Sequence, residues 1–171
     1  PSPGASVGRV GAGLSSPGRG LGVRIGRPHA GPLPAMGYLR GGGWVAGGLA
    51  THDGACAALA QDADAVVASV HYRRAPESPY PAPNDDAYAA LAWVAEHAEA
   101  LAVDRARIAV AGDSAGAHLA IGCAIEGRER GGPAIAFQLL VYPVVEPAFD
   151  TASYLAHASS PTLTRDDMIW Y

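Results

Sequence analysis

Residues 110–122 read VAGDSAGAHLAIG: an apolar run, then one serine enclosed by the smallest side chains available. Gly112, Asp113, Ser114, Ala115 and Gly116 fit the pattern G-x-S-x-G. A serine in that pattern stands on a tight turn between a strand and a helix, in a strained backbone conformation that lifts its hydroxyl clear of the sheet. Side chains two residues to either side would collide with the strand or the helix, so glycine is required at both places. The helix that starts beneath the serine presents free N–H groups and the positive end of its dipole to a developing oxyanion. The stretch therefore predicts a short buried strand over 107–112, a helix over 115–129, and a nucleophile at Ser114.

A second glycine cluster, Arg40-Gly41-Gly42-Gly43-Trp44, follows an apolar run at 34–40. Successive glycines let backbone amides approach a ligand closely. Acyl transfer needs two or three such donors, each worth about 3–4 kcal/mol in the transition state. A phosphate-cradling loop would also be glycine-rich. It would be followed by Lys-Ser/Thr, and this chain contains no lysine.

Working outward, the pattern alternates. A short edge strand is predicted over 23–28, a strand over 34–40, and a helix over 52–62 with Thr51 as its cap and Asp53 at its positive end. The β-branched run at 63–72 reads as a strand. Pro83 and Asn84 open the next helix, with Asp85 and Asp86 in its first turn. Along it Ala87, Tyr88, Leu91, Val94, Ala95 and Ala98 recur on one face. Residues 134–143 read as a further strand, ended by Pro143. Such alternation calls for a mostly parallel sheet covered by helices on both faces, an α/β sandwich of three layers. Residues 1–22 lack periodicity and are rich in Gly, Pro and Ser, the composition of a flexible segment.

With 171 residues, 49% of them hydrophobic and 16% charged, the chain can bury roughly 70% of its unfolded surface in one domain. No apolar run approaches the roughly 20 residues of a membrane span. Cys56 and Cys123 lie in apolar, alanine-rich segments and read as buried free thiols, so nothing asks for an oxidising compartment, and a cytoplasmic location is expected. Residues 1–52 carry five arginines and no acid. These arginines are scattered among glycines and prolines with no apolar leader core, so neither a targeting peptide nor a nucleic-acid arm is expected.

Several segments together resemble the hormone-sensitive-lipase-like esterases of the α/β-hydrolase superfamily. They are GGGWVAGGLATHD (41–53), HYRRAPESPYPAPNDDAYAALAWV (71–94), RIAVAGDSAGAHLA (107–120), QLLVYPVVE (138–146) and LTRDDMIWY (163–171). The resemblance implies Ser114 as nucleophile and the amides of Gly42, Gly43 and Ala115 as oxyanion hole. It implies a carboxylic-ester substrate of short or medium chain, and neither metal nor organic cofactor. Tyr72, Arg73, Pro76 and Glu77 would brace the fold. By the same resemblance, residues 23–143 form part of the hydrolase core and 144–171 begin a lid, the last strands and helices of the fold being absent. One departure stands out: the family's glycine-rich motif begins with histidine, where this chain has Arg40, which alters the support of the oxyanion loop.

A serine hydroxyl is a weak nucleophile until a histidine takes its proton and a carboxylate orients that histidine. In this architecture the chain order is Ser, acid, His. After Ser114, only His157 is preceded by an intervening aspartate, Asp150; Glu126, Glu129 and Glu146 also precede it. The resemblance places both partners after two further strands, beyond Tyr171. His118, one turn into the helix after Ser114, is expected to pack or be solvated, and His29, His52, His71 and His97 to be structural or exposed. The expectation is a serine esterase whose acid and base are missing from this chain. The rivals are a non-catalytic small-molecule-binding relative and an inactive remnant of the fold.

Overall fold

The computed structural model describes residues 10–16 and 19–171, with side chains from residue 21 onward. A six-stranded sheet runs in the order β1-β2-β4-β3-β5-β6. Its strands are β1 (Val10–Ser16), β2 (Arg19–Gly26), β3 (Leu33–Leu39), β4 (Val66–His71), β5 (Val103–Asp113) and β6 (Phe137–Val141). β1 pairs antiparallel with β2, and β2 antiparallel with β4. The remaining pairs, β3 with β4, β3 with β5 and β5 with β6, are parallel. Between the parallel strands run α1 (Asp53–Asp62), α2 (Ala82–Glu96) and α3 (Ala115–Arg130), and the chain ends with the short helices α4 (Ala152–Ala156) and α5 (Arg165–Trp170).

Alternation along each strand divides the interior into two layers. Ala35 and Leu39 of β3, Val66, Ala68 and Val70 of β4, and Ile108 and Val110 of β5 face α2 and α3, where Leu91, Val94 and Leu119 meet them. Met36, Tyr38, Val67 and Ala111 face the opposite way, toward Cys56 and Ala60 of α1. This is the mostly parallel sheet covered by helices on both faces that the alternation predicts. Both cysteines are buried free thiols.

The amino-terminal reading needs correction. Residues 10–16 and 19–22, expected to be flexible, are strands, and the strand foreseen at 23–28 is an interior one, since β1 occupies the edge. The period-two pattern begins earlier than residue 23: Leu21, Val23 and Ile25 are all buried. Backbone ladders need no side chains, so a glycine-rich segment can pair where a neighbouring strand offers its edge. Residues 1–9, 17 and 18 lie outside the described residues. A second difference is at Thr51, which does not cap α1. Its hydroxyl donates to the Gly48 carbonyl (2.7 Å) and accepts from the Gly48 N–H (3.2 Å), closing a 3₁₀ turn over Leu49–His52.

Candidate active site around Ser114

Ser114 sits between the end of β5 and the start of α3 with φ 53° and ψ −122°, a backbone region that L-residues avoid. Its own N–H donates to the Val141 carbonyl at the end of β6 (2.9 Å), which holds the strained residue in place. The two flanking glycines are obligatory for the reason the spacing suggests. A Cβ on Gly112 would lie 2.5 Å from the carbonyl carbon and oxygen of Gly116 and 2.6 Å from the Leu39 carbonyl oxygen. A Cβ on Gly116 would run into that same Leu39 carbonyl and lie 2.6 Å from the Arg40 carbonyl carbon. Strand β3, the elbow and α3 therefore meet backbone to backbone.

That close approach brings the start of the glycine loop to the residue before the serine. Asp113, the residue before Ser114, accepts from the Gly41 N–H (3.0 Å) and from the Tyr38 hydroxyl (2.8 Å) through Oδ1, and His52 Nε2 lies 3.5 Å from the same oxygen. Burial and the bond to Asp113 hold the Tyr38 phenol above its usual range, so it stays a donor. Gly42 and Gly43 have φ of 126° and 57°, which glycine alone adopts without strain. The loop turns on itself through the Ala46 N–H to the Gly42 carbonyl (2.8 Å). The Tyr171 ring lies against Gly43, where a Cβ would come within 2.5 Å of its Cζ. Ala115 is the first residue of α3, so its N–H has no intrahelical acceptor.

Ser114 also lines a cavity of about 500 Å³ whose walls include Tyr142, Val145, His157, Leu163 and Met168. His157 thus shares the serine's cavity. Among the described residues, however, no histidine is hydrogen-bonded to Ser114. His118 is packed: Nδ1 donates to the Val144 carbonyl (2.8 Å) and the ring meets Trp44 edge to face at 5.4 Å. Of the four residues expected to brace the fold, Tyr72 and Arg73 make such ties, whereas Pro76 and Glu77 lie exposed at the surface and do not. Arg73 grips Asp86 through Nε (2.9 and 3.0 Å) and Nη2 (2.7 Å), while its backbone N–H donates to Asp86 Oδ2 (2.8 Å). Tyr72 donates its hydroxyl to the Arg40 carbonyl (2.7 Å).

Asp113, Tyr38 and Tyr171 were not foreseen as parts of the site. Asp113 stands inside the serine motif and was legible as a candidate. Tyr38 and Tyr171 reach the loop only through folding. Among the described residues no cluster of His, Cys, Asp or Glu could hold a metal ion, and no helix is long and apolar enough to cross a membrane.

The chain is similar in sequence and fold to known proteins. Residues 36–171 match the family model described as alpha/beta hydrolase fold. The carboxylesterase NlhH of Mycobacterium tuberculosis is 48% identical over 143 residues, 81% of this chain and 45% of that protein. The esterase LipI of the same organism is 47% identical over 154 residues, covering 88% and 48%. The structure of a hyperthermophilic esterase from the archaeon Pyrobaculum calidifontis superposes with a TM-score of 0.88 at 42% identity, over 95% of this chain and 53% of that one. A thermostable esterase from Pseudomonas putida gives 0.91 at 38%, over 99% and 54%. The chain spans about half the length of these relatives. On the family match and on these identities and superpositions, the chain belongs to the α/β-hydrolase fold family, among the esterases its motifs resemble.

Proposed function

We propose that this chain carries the nucleophile and oxyanion machinery of a serine carboxylesterase acting on short- or medium-chain esters. The observation that carries the reading is Ser114 itself, held at positive φ on a strand-to-helix turn whose flanking glycines touch backbone on both sides. Ser114 Oγ attacks the ester carbonyl, and the amides of Gly42, Gly43 and Ala115 receive the oxyanion. The bond to the alkoxy oxygen breaks as that oxygen takes up the proton Ser114 gave to a base, and water, deprotonated in the same way, then hydrolyses the acyl-serine to the acid and free Ser114. The cavity beside Ser114 accepts an apolar group of the substrate, and residues 144–171, which supply most of its wall, act as the first part of a lid. Names of the matched relatives, carboxylesterase and esterase, support the reaction class.

The general base is the component this chain supplies least well, because His157 faces the cavity without a bond to the serine. Without a working base, an oxyanion hole and binding leave about 10³–10⁴-fold catalysis over water. Hydrolysis of p-nitrophenyl acetate and butyrate by the purified chain, compared with Ser114→Ala, tests the proposal. Slow turnover abolished by the alanine change supports it. Turnover unaffected by that change refutes it, and saturable ester binding without any turnover favours the non-catalytic binding reading. Fast, Ser114-dependent turnover means that a base operates within the chain, and His157→Ala is then the variant to make.

A further inference from the structure

Arg40, where the resembling family has histidine, is the largest fully buried side chain among the described residues, 1% exposed. Among the described residues no carboxylate pairs with it. Its guanidinium carbon lies 4.1 Å from the centre of the Tyr72 ring, and Tyr72 is equally buried. Nη2 donates to the Gly47 carbonyl (3.2 Å), while Nε and Nη1 find no hydrogen-bond partner. The Tyr72 hydroxyl in turn donates to the Arg40 carbonyl. Arg74 donates through Nη1 to the same Gly47 carbonyl (2.8 Å), so two cations converge on one acceptor.

A buried guanidinium without an acid is costly, and leaving its N–H groups unpaired adds to the cost. Such an arrangement persists when the surroundings over-determine it. Here the surroundings are a closed circuit: the Tyr72 hydroxyl holds residue 40 by its carbonyl, the Tyr72 ring face receives the cation, and the cation holds residue 47. Residues 40 and 47 are the two ends of the loop that contains Gly42 and Gly43. The inner end is also fastened to the elbow by the Gly41 N–H to Asp113, and the middle by the Ala75 N–H to the Trp44 carbonyl (3.1 Å). Of these ties, only Arg40 joins one end of the loop to the other.

We infer that Arg40 is a positioning residue that acts with Tyr72 as a clamp across the glycine loop, fixing the amides of Gly42 and Gly43 beside Ser114. The inference rests on the reading of those amides as oxyanion donors. The clamp depends on a guanidinium held over a ring face while it donates to Gly47, so lysine replaces it poorly and an apolar side chain of similar length not at all.

Amide hydrogen exchange of the whole chain, read segment by segment, tests the clamp in Arg40→Met, Arg40→Lys and Tyr72→Phe. Exchange over residues 41–47 accelerates at least 10-fold in Arg40→Met, with β3 and β5 unchanged, and Arg40→Lys falls between it and the parent. Tyr72→Phe keeps the ring and loses the hydroxyl. It therefore keeps the upfield-shifted, slowly exchanging Arg40 Nε–H resonance that the ring face produces, yet loosens the loop. Unchanged exchange over 41–47 in Arg40→Met overturns the inference, as does an Nε–H resonance at the position of an exposed arginine. If Arg40→Met does not fold, the Tyr72→Phe exchange profile and that resonance decide alone. Hydrolysis of p-nitrophenyl acetate separates clamp from function: a lower kcat at unchanged KM supports the positioning role. A loosened loop in a chain whose turnover ignores Ser114→Ala supports the clamp and overturns only the oxyanion reading.

Discussion

Gly112→Ala is the substitution whose outcome the backbone geometry fixes most tightly. The added methyl group meets three backbone atoms, at 2.5, 2.5 and 2.6 Å. Each is about 1 Å inside the 3.5 Å or more at which carbon contacts become favourable. None belongs to a side chain that can rotate away. Relief requires α3 to retreat from β5, or β3 to separate from the elbow, and both movements disturb the buried layer that contains Leu39, Val110 and Leu119. Overpacking of a side-chain core costs about 1–3 kcal/mol. Backbone against backbone on two sides, from the Gly116 and Leu39 carbonyls, places this change at the top of that range, about 3 kcal/mol. For a chain of this length, a loss of that size lowers the thermal midpoint by about 6–12 °C. The control is Gly54→Ala in α1, where a Cβ meets nothing within 4 Å and helix propensity alone should add about 0.8–1 kcal/mol. Circular dichroism melts and urea titrations of the two variants and the parent measure both effects. A Gly112→Ala midpoint within about 2 °C of the parent would refute the steric account of the elbow.

Replacing Ser114 by glycine should stabilise the fold by about 1 kcal/mol, because the strain at φ 53° disappears, whereas Ser114→Ala retains it and melts near the parent; denaturant titration distinguishes them. Asp86→Ala strips the buried partner from the Arg73 guanidinium and backbone N–H, and should cost about 2–3 kcal/mol in a urea titration. Burial pushes the Cys123 thiol up to about 12 from 9.0, so the unfolded chain ionises this group over an interval in which the folded chain does not. The thiol's contribution is therefore intact below pH 9 and falls as pH rises from 9 toward 12. Cys123→Ala should flatten the alkaline limb of the stability profile, and native protein should leave both thiols unreactive toward a disulfide reagent that titrates two in denaturant.

The clashes that require the elbow's glycines are local only where Gly112 meets Gly116; those with Leu39 and Arg40 exist only once β3 lies beside the elbow. The elbow was legible in one dimension because the spacing G-x-S-x-G is itself local, and the strand before and helix after follow from hydrophobic period. The parallel core was legible for the same reason: Val66, Ala68 and Val70 alternate in the sequence as they alternate across the sheet. The edge of that sheet was not, since β1 forms by backbone pairing against β2, and β2 against β4, which a glycine-rich composition neither announces nor forbids. Nor could spacing reveal what holds the glycine loop. Tyr38 meets Asp113 across 75 residues, and Tyr72 meets Arg40 across 32. Such pairs are set by which strands become neighbours, and β3 becomes the neighbour of both β4 and β5 only once the sheet has assembled. Read from sequence, Arg40 was a departure from a motif. The tertiary structure makes it a buried cation against a tyrosine ring, because the same crossovers that bring the glycine loop to Ser114 close the core over its side chain.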